Sequence, residues 1–141
     1  MARYRSHVPL AAFAPHLETG ESLRSWAYGV DEPALAALFP LLLVIPGLML
    51  WAYLRTEYLV GLTDRRVVVL EVKGRKAAVQ GVRAYDLGGA HEVSIRTDIA
   101  AVTLTVRDEA DPLRLKFRRF DAPGNRAHAL AVAEALGADV G

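Results

Sequence analysis

The chain contains no cysteine, and this absence excludes several kinds of site at once. Disulfide bonds, thiolate nucleophiles and cysteine-ligated metals all require thiols, so none of them contributes to the fold or the chemistry. The chain also lacks an excess of either charge, since 17 Lys and Arg stand against 16 Asp and Glu. General nucleic-acid binders normally carry a clear basic excess. We therefore expect no nucleic acid among its partners.

Groupings that indicate catalysis are missing as well. The carboxylates are scattered along the sequence rather than paired, and the histidines share no metal-ligand spacing with one another or with carboxylates. The four histidines are His7, His16, His91 and His128. We therefore expect no catalytic residues, no metal and no cofactor, and interpret the chain as a binding protein rather than an enzyme.

What the sequence does have is one long apolar run, from Ala34 to Leu54, with no charged side chain. A membrane-spanning helix needs roughly 20 apolar residues to cross ~30 Å of hydrocarbon. Trp51 and Tyr53 lie near its end, where amphipathic rings favour the headgroup level. The run therefore predicts a transmembrane helix over 34–54. Two alternatives stay open: a re-entrant segment that turns back at Pro46-Gly47, and a soluble oligomer that buries the run between subunits.

Charges beside the apolar run predict its orientation. Lys and Arg within about 20 residues favour the cytoplasmic side of a membrane. The side before the run carries only Arg24 in this window. The side after it carries Arg55, Arg65, Arg66 and Lys73. We therefore expect the plasma (inner) membrane as the location, with the region after the run in the cytoplasm.

After the run, the sequence changes to short β-branched segments separated by turn residues. Alternation is clearest in Ala101–Arg107 and Leu113–Phe120, where every second residue is apolar. The other predicted strands are Thr56–Leu62, Arg66–Val72, Lys76–Leu87 and His91–Thr97. From the alternation, the predicted core consists of Val60, Leu62, Val68, Leu70, Val102, Leu104, Leu115 and Phe117.

An alanine-rich segment closes the chain and predicts one helix over 125–136, ended by Gly137. The predicted organisation is an N-terminal segment (1–33, with a possible first strand at 18–30), the transmembrane helix (34–54) and a β domain with the C-terminal helix (55–141). The predicted fold class is mostly β with a C-terminal α-helix.

Three stretches resemble the membrane-associated bacterial proteins with a pleckstrin-homology-like (PH-like) domain. The first is LETGESLRSW (Leu17–Trp26), which precedes the apolar run. The second is YLVGLTDRRVVVLEVKG (Tyr58–Gly74), with a Thr-Asp-x-Arg turn between strands, and the third is VRAYDLGGAHEVSIRT (Val82–Thr97). The resemblance implies a PH-like antiparallel β-barrel or sandwich capped by the C-terminal helix. It also implies binding or scaffolding at a membrane, without catalysis.

The sequence departs from this family in one respect. Relatives often carry two membrane helices before the Thr-Asp-x-Arg strand, whereas 21 apolar residues can cross only once. A single crossing would place Leu17–Trp26 on the opposite side of the membrane from the β domain. That segment could then not supply the first strand of the sheet.

Two basic clusters are the candidate binding residues for an anionic headgroup or a protein partner. One cluster occupies a strand-to-strand turn and consists of Lys73, Arg75 and Lys76. The other alternates along the last strand and consists of Arg114, Lys116 and Arg118. Cations beside an anionic leaflet each gain on the order of 1 kcal/mol, but a solvated charged surface is the simpler interpretation of both clusters.

The sequence thus predicts a membrane-anchored PH-like module that contacts lipid headgroups or a protein partner. The alternative is a structural accessory subunit of a larger membrane protein complex. Other membrane subunits or further copies of the chain would then be its partners.

Overall fold

Seven antiparallel strands in one sheet, with two helices, form the fold in a computed structural model that describes residues 4–31, 55–87, 91–107 and 112–138. The helices are α1 (His7–Phe13), which runs into a short 3-10 turn (Ala14–His16), and α2 (Asn125–Ala135). The strands are β1 (Leu23–Asp31), β2 (Thr56–Thr63), β3 (Arg66–Lys73), β4 (Ala78–Asp86), β5 (Val93–Thr97), β6 (Ala101–Val106) and β7 (Leu113–Arg118).

The strand order is β4-β3-β2-β1-β7-β6-β5, so the first and the last strand meet in the middle of the sheet. The ladder between β1 and β7 has one pair, Val30 with Lys116. Beyond this pair, a side chain of α2 supplies the hydrogen bonds that connect β1 with β7. The Asn125 side chain accepts a hydrogen bond from Tyr28 N–H (2.7 Å) and donates to the carbonyls of Tyr28 (2.9 Å) and Arg118 (2.7 Å). The helix therefore closes the seam between the two halves of the sheet.

The inner face of the sheet packs on α2 and forms the larger core. Its members come from both halves of the sheet, and the largest fully buried side chain among them is Phe117. Gly29 on β1 leaves room for that ring, because a Cβ at this position would lie 3.0 Å from Phe117 Cε1. The helix contributes Ala129, Val132, Ala133 and Leu136 to the same core.

The N-terminal segment covers the outer face of the first half of the sheet and creates a second core. Phe13 of α1 is completely buried there, and the Tyr4 ring packs edge-on against Tyr28 with ring centres 5.7 Å apart. The strands contribute Leu59, Val68 and Leu70 from β2 and β3. Strands β2 and β3 are therefore buried on both faces, whereas the outer face of β5–β7 carries polar side chains.

The structure confirms a mostly β antiparallel fold with a C-terminal helix. Of the eight predicted core residues, seven are buried and Leu62 is half-buried. They belong to two cores rather than one, since Val68 and Leu70 face the N-terminal segment. The continuous apolar run of β3 reflects this burial on both faces. The first strand begins at Leu23.

The transmembrane helix is the part of the predicted fold that the structure corrects. No helix within the described ranges is long and apolar enough to cross a membrane. The longer of the two, α2, has 11 residues, or about 16 Å at 1.5 Å per residue, against ~30 Å of hydrocarbon. The predicted span, 34–54, itself lies outside the described residues.

Strand pairing gives the physical reason why a single crossing is wrong. Asp31, the last residue of β1, is the cross-strand partner of Thr56, the first residue of β2. Such partners lie about 5 Å apart, whereas a chain that crosses once has its two ends on opposite sides of ~30 Å of hydrocarbon. Because β1 belongs to the same sheet as β2, Asp31 and Thr56, which flank the apolar run, lie next to each other.

A candidate anion-binding face

The outer face of β5–β7 carries two rows of polar side chains, which we call the basic face. One row runs across the strands through Ser94, Thr105 and Arg114, and the next runs through Arg96, Thr103 and Lys116. Directly opposed residues of an antiparallel pair project from the same side of the sheet. Inward residues between them, such as Leu104 and Leu115, are buried in the core, so the backbone fixes the outward direction of both rows.

The three cations of the basic face stand without an ion-pair partner within the described ranges. No described carboxylate lies within 4.0 Å of Arg96, Arg114 or Lys116. Two carboxylates mark the borders of the face. Burial raises the pKa of Asp31, an effect that the charge of Arg114 partly offsets. Backbone N–H groups of Ala101 and Ala100 lower the pKa of Asp98.

A shallow hollow of about 360 Å³ lies on this face. It is lined by Ile95 together with two guanidinium groups and three hydroxyl groups, from Arg96, Arg114, Ser94, Thr103 and Thr105. Guanidinium groups present a planar fork of donors that matches phosphate or carboxylate oxygens, and hydroxyl groups add single donors. The arrangement suits an anion with several oxygens.

Of the predicted strand cluster, the structure places Arg114 in the hollow and Lys116 in the neighbouring row. Arg118 lies one row further along β7, opposite Ala101 on β6. It is half-buried, and its carbonyl accepts a hydrogen bond from Asn125. Arg118 therefore belongs to the border of the face rather than to the hollow.

The predicted turn cluster lies elsewhere. Lys73, Arg75 and Lys76 are exposed at the β3–β4 turn, whose Gly74 carbonyl accepts a hydrogen bond from the Tyr4 hydroxyl at 3.1 Å. In the sheet order, β2 and β1 separate β3 from β7, which corresponds to roughly 14 Å across three strand spacings. The structure does not bring the two predicted clusters together.

Sequence analysis missed Arg96 and the hydroxyl groups as members of the site. Alternation along each strand does place Thr103 and Thr105 on the outward face of β6. The register that puts Arg96 beside Thr103 depends on how β5 pairs with β6, which one strand alone does not fix. Only pairing across three strands brings the residues into one hollow.

Glu21, Thr63 and Arg66, which belong to the first two stretches that carry the family resemblance, form a structural clasp. Arg66 of the Thr-Asp-x-Arg turn donates two hydrogen bonds of 2.9 Å to the fully buried Glu21 carboxylate and one of 2.7 Å to the His16 carbonyl. The Thr63 hydroxyl donates to the same carboxylate at 2.8 Å. These contacts, led by the Arg66 hydrogen bonds, lower the pKa of Glu21 to about 2. The clasp ties the N-terminal segment to the β2–β3 turn.

A second buried polar group lies where β1 and β2 meet. The Tyr28 hydroxyl donates to Glu57 at 2.6 Å, and Arg55 approaches the same carboxylate oxygen at 3.3 Å. Burial, reinforced by the Glu57 carboxylate, raises the pKa of Tyr28. In the described part of the chain, no three metal-ligating side chains cluster there or elsewhere.

Comparison with known proteins adds a distant structural likeness. No protein-family model matches the chain, and no curated protein matches its sequence. Among solved structures, the chain is similar to the hSac2 domain from the human phosphoinositide phosphatase Sac2. The TM-score is 0.49 at 14% identity, over 93% of this chain and 78% of that one.

Proposed function

We propose that the chain is a non-catalytic binding module whose basic face takes a phosphate-bearing headgroup of an anionic lipid. The observation that carries the proposal is the set of Arg96, Arg114 and Lys116, which share one face of β5–β7 and have no carboxylate within 4.0 Å in the described part of the chain. Unpaired cations repel one another, and an anion placed between them removes that cost.

The hydroxyl groups between the cations favour a ligand with several oxygen acceptors. Thr103 and Thr105 lie on the middle strand, with a cation of β7 on one side and β5 on the other. A phosphate group has enough oxygen acceptors to use guanidinium and hydroxyl donors together. A headgroup also suits an open, shallow hollow, since a lipid presents its phosphate at a surface.

Charge reversal on the face tests this proposal. The double variant Arg114→Glu, Lys116→Glu replaces two attractive charges with two repulsive ones. A hydrogen bond to a charged group contributes roughly 1.5–3 kcal/mol, so we expect at least a tenfold weaker affinity for dihexanoylphosphatidylglycerol below its micelle concentration. Nuclear magnetic resonance titration measures it, and amide shifts centred on Thr103 and Thr105 locate the site. Parallel titration with inorganic phosphate distinguishes a lipid headgroup, which binds more tightly than phosphate alone, from free phosphate, which binds equally well.

The matched control reverses equal charge at the predicted turn cluster, as Arg75→Glu, Lys76→Glu. Both of these side chains are exposed, and we expect the control to bind the lipid within about twofold of the unaltered protein. The proposal is wrong if the control loses binding while the face variant keeps it. Absence of any shift in the unaltered protein is equally decisive against it.

A further inference from the structure

Two large apolar side chains are exposed at one end of the sheet, outside any core. Ile99, in the β5–β6 turn, is 90% exposed, and Phe120, after β7, is 73% exposed. Within the described ranges, the other exposed large apolar residues are Leu10 on α1 and Val82 on β4, at 52% and 46%. A β-turn usually carries Gly, Asn, Asp or Ser, so isoleucine there calls for a reason.

The sheet register places the two residues at the same end of the sheet. Ala101 pairs with Arg118, and the Arg119 N–H donates to the Ala100 carbonyl at 2.9 Å, which extends the same ladder by one position. Ile99 precedes Ala100 in the β5–β6 turn and Phe120 follows Arg119, so both residues lie next to this hydrogen bond. We call Ile99, Ala100 and Phe120 the apolar tip.

The turn that carries Ile99 is held by hydrogen bonds. The Asp98 carboxylate accepts the N–H groups of Ala100 and Ala101, both at 2.8 Å. The carbonyl of Asp98 accepts a hydrogen bond from the Arg126 guanidinium on α2. Because the backbone is already ordered, contact with a partner costs little conformational entropy.

Cations surround the apolar tip. The Arg119 guanidinium lies over the Phe120 ring, 5.4 Å from its centre. Arg119 and Arg126 also line an open hollow of about 600 Å³, which Phe120 shares with Leu130 of α2. Lys116 of the basic face lies two residues before Arg118 on β7, so that face ends beside the tip. Apolar groups with a basic rim match an anionic lipid surface, where the acyl region lies below a layer of phosphates.

We propose that the apolar tip inserts into the interface of an anionic lipid bilayer. Ile99 and Phe120 enter the acyl boundary, and Arg119 and Arg126 contact phosphates around them. This inference rests on the proposed function for its ligand class and adds a second contact of a different chemistry. It assigns the orientation of the sheet, with the β5–β6 end towards the lipid.

A local probe tests insertion. Because the chain has no cysteine, Ala100→Cys introduces a unique site for an environment-sensitive nitrobenzoxadiazole label in the full chain. Equal parts of phosphatidylcholine and phosphatidylglycerol form the vesicles. We expect a blue shift of the label and quenching by doxyl lipids. The same label at Gln80→Cys, an exposed position on β4, should stay water-like. Water-like emission at both positions in vesicle-bound protein overturns the inference.

A second variant removes the apolar groups without touching the backbone contacts. Ile99→Ser, Phe120→Ser should abolish the blue shift of the Ala100 label and weaken vesicle binding at least about tenfold. Leu10→Ser, Val82→Ser removes the two other exposed apolar side chains and should leave both readouts unchanged. All four positions are exposed, and thermal unfolding verifies that each variant folds. An unchanged shift in the tip variant overturns the inference.

The proposed function of the basic face and the proposed insertion of the apolar tip can be overturned independently of each other. The tip variant should bind soluble dihexanoylphosphatidylglycerol as well as the unaltered protein does, because the basic face is intact. If the soluble lipid binds at Thr103 and Thr105 but the tip stays in water, only the inference is wrong. If the tip inserts but the soluble lipid does not bind, the proposed function of the basic face is wrong.

Discussion

The Glu21 carboxylate has no solvent contact, and its hydrogen bonds determine how much it contributes to the stability of the fold. Arg66 supplies two of them, Thr63 one, and the Glu18 backbone N–H another at 2.9 Å. No buried side-chain polar atom in the described ranges is left without a partner. A carboxylate held in this way stabilises the fold only in its charged form.

Replacement of Glu21 by Gln should lower the free energy of unfolding at neutral pH by roughly 1–3 kcal/mol, because a buried hydrogen-bonded charge pair is broken. Its pKa falls from 4.5 to about 2 on folding. The stabilisation is therefore complete above pH 4.5 and lost as the pH falls towards 2. Urea unfolding over this range should show the difference between the two proteins shrinking with acid.

The neighbouring Glu18→Gln provides the control, because its side chain is 62% exposed and meets Arg65 at 3.5 Å. Exposed pairs of this kind contribute little. Equal losses for Glu18→Gln and Glu21→Gln, or a pH-independent difference for Glu21→Gln, would contradict the assignment of the clasp.

At the scale of elements, the packing of α1 on the sheet depends on a glycine of β2, Gly61. A Cβ at Gly61 would lie 2.7 Å from Leu23 Cδ1 and 2.7 Å from Phe13 Cε1. Glycine here lets the Phe13 ring lie directly on the strand. The N-terminal segment is thus fastened twice, by the clasp at one end and by Phe13 on Gly61.

Gly61→Ala should therefore destabilise the protein by about 1–3 kcal/mol, as overpacking of a filled core does. Gly81→Ala on β4 is the matched substitution, since its nearest neighbour is Glu71 Oε2 at 3.4 Å and the site can accommodate a methyl group. We expect almost no loss there. Urea denaturation of both variants measures the difference, and equal midpoints would show that α1 does not pack as described.

Elements with one buried face were predictable from the sequence, and elements with two buried faces were only partly so. The alternation in β6 and β7 gave the correct inward residues, Leu104 and Phe117 among them. In β3 every apolar residue is buried, so the pattern did not reveal that Val68 and Leu70 face a second core. That core is formed by a segment distant in sequence, which local periodicity does not encode.

The candidate site was partly predictable for the same reason. Arg114 and Lys116 followed from alternation within one strand, but Arg96 required the register of two further strands. The predicted transmembrane helix rested on the apolar run and its flanking residues, whereas the pairing of Asp31 with Thr56 places the residues on either side of the run next to each other. The pairing between strands is information that the residue pattern along a single strand does not contain.

At the scale of the whole molecule, a net charge of +1 conceals an uneven distribution. The N-terminal segment covers the outer face of β1–β3 with apolar contacts and leaves the outer face of β5–β7 open. The open half carries Arg96, Arg114 and Lys116, and the apolar tip lies at its end. A nearly neutral molecule has little long-range attraction for an anionic surface, so binding depends on charges close to the contact.

The dependence of vesicle affinity on ionic strength should distinguish the contribution of the basic face from that of the apolar tip. Screening acts over about 10 Å at 0.1 M salt, so vesicle affinity of the unaltered protein should fall steeply as salt is added. Arg114→Glu, Lys116→Glu should flatten that salt dependence, because it removes attractive charges. Ile99→Ser, Phe120→Ser should lower the affinity at every salt concentration and keep the slope, because apolar insertion does not depend on screening.

Co-sedimentation with phosphatidylglycerol vesicles over a salt series measures both slopes, with phosphatidylcholine vesicles as the uncharged reference. A tip variant with a flattened slope would mean that the tip acts through charge, and parallel slopes for all three proteins would mean that the basic face does not meet the lipid.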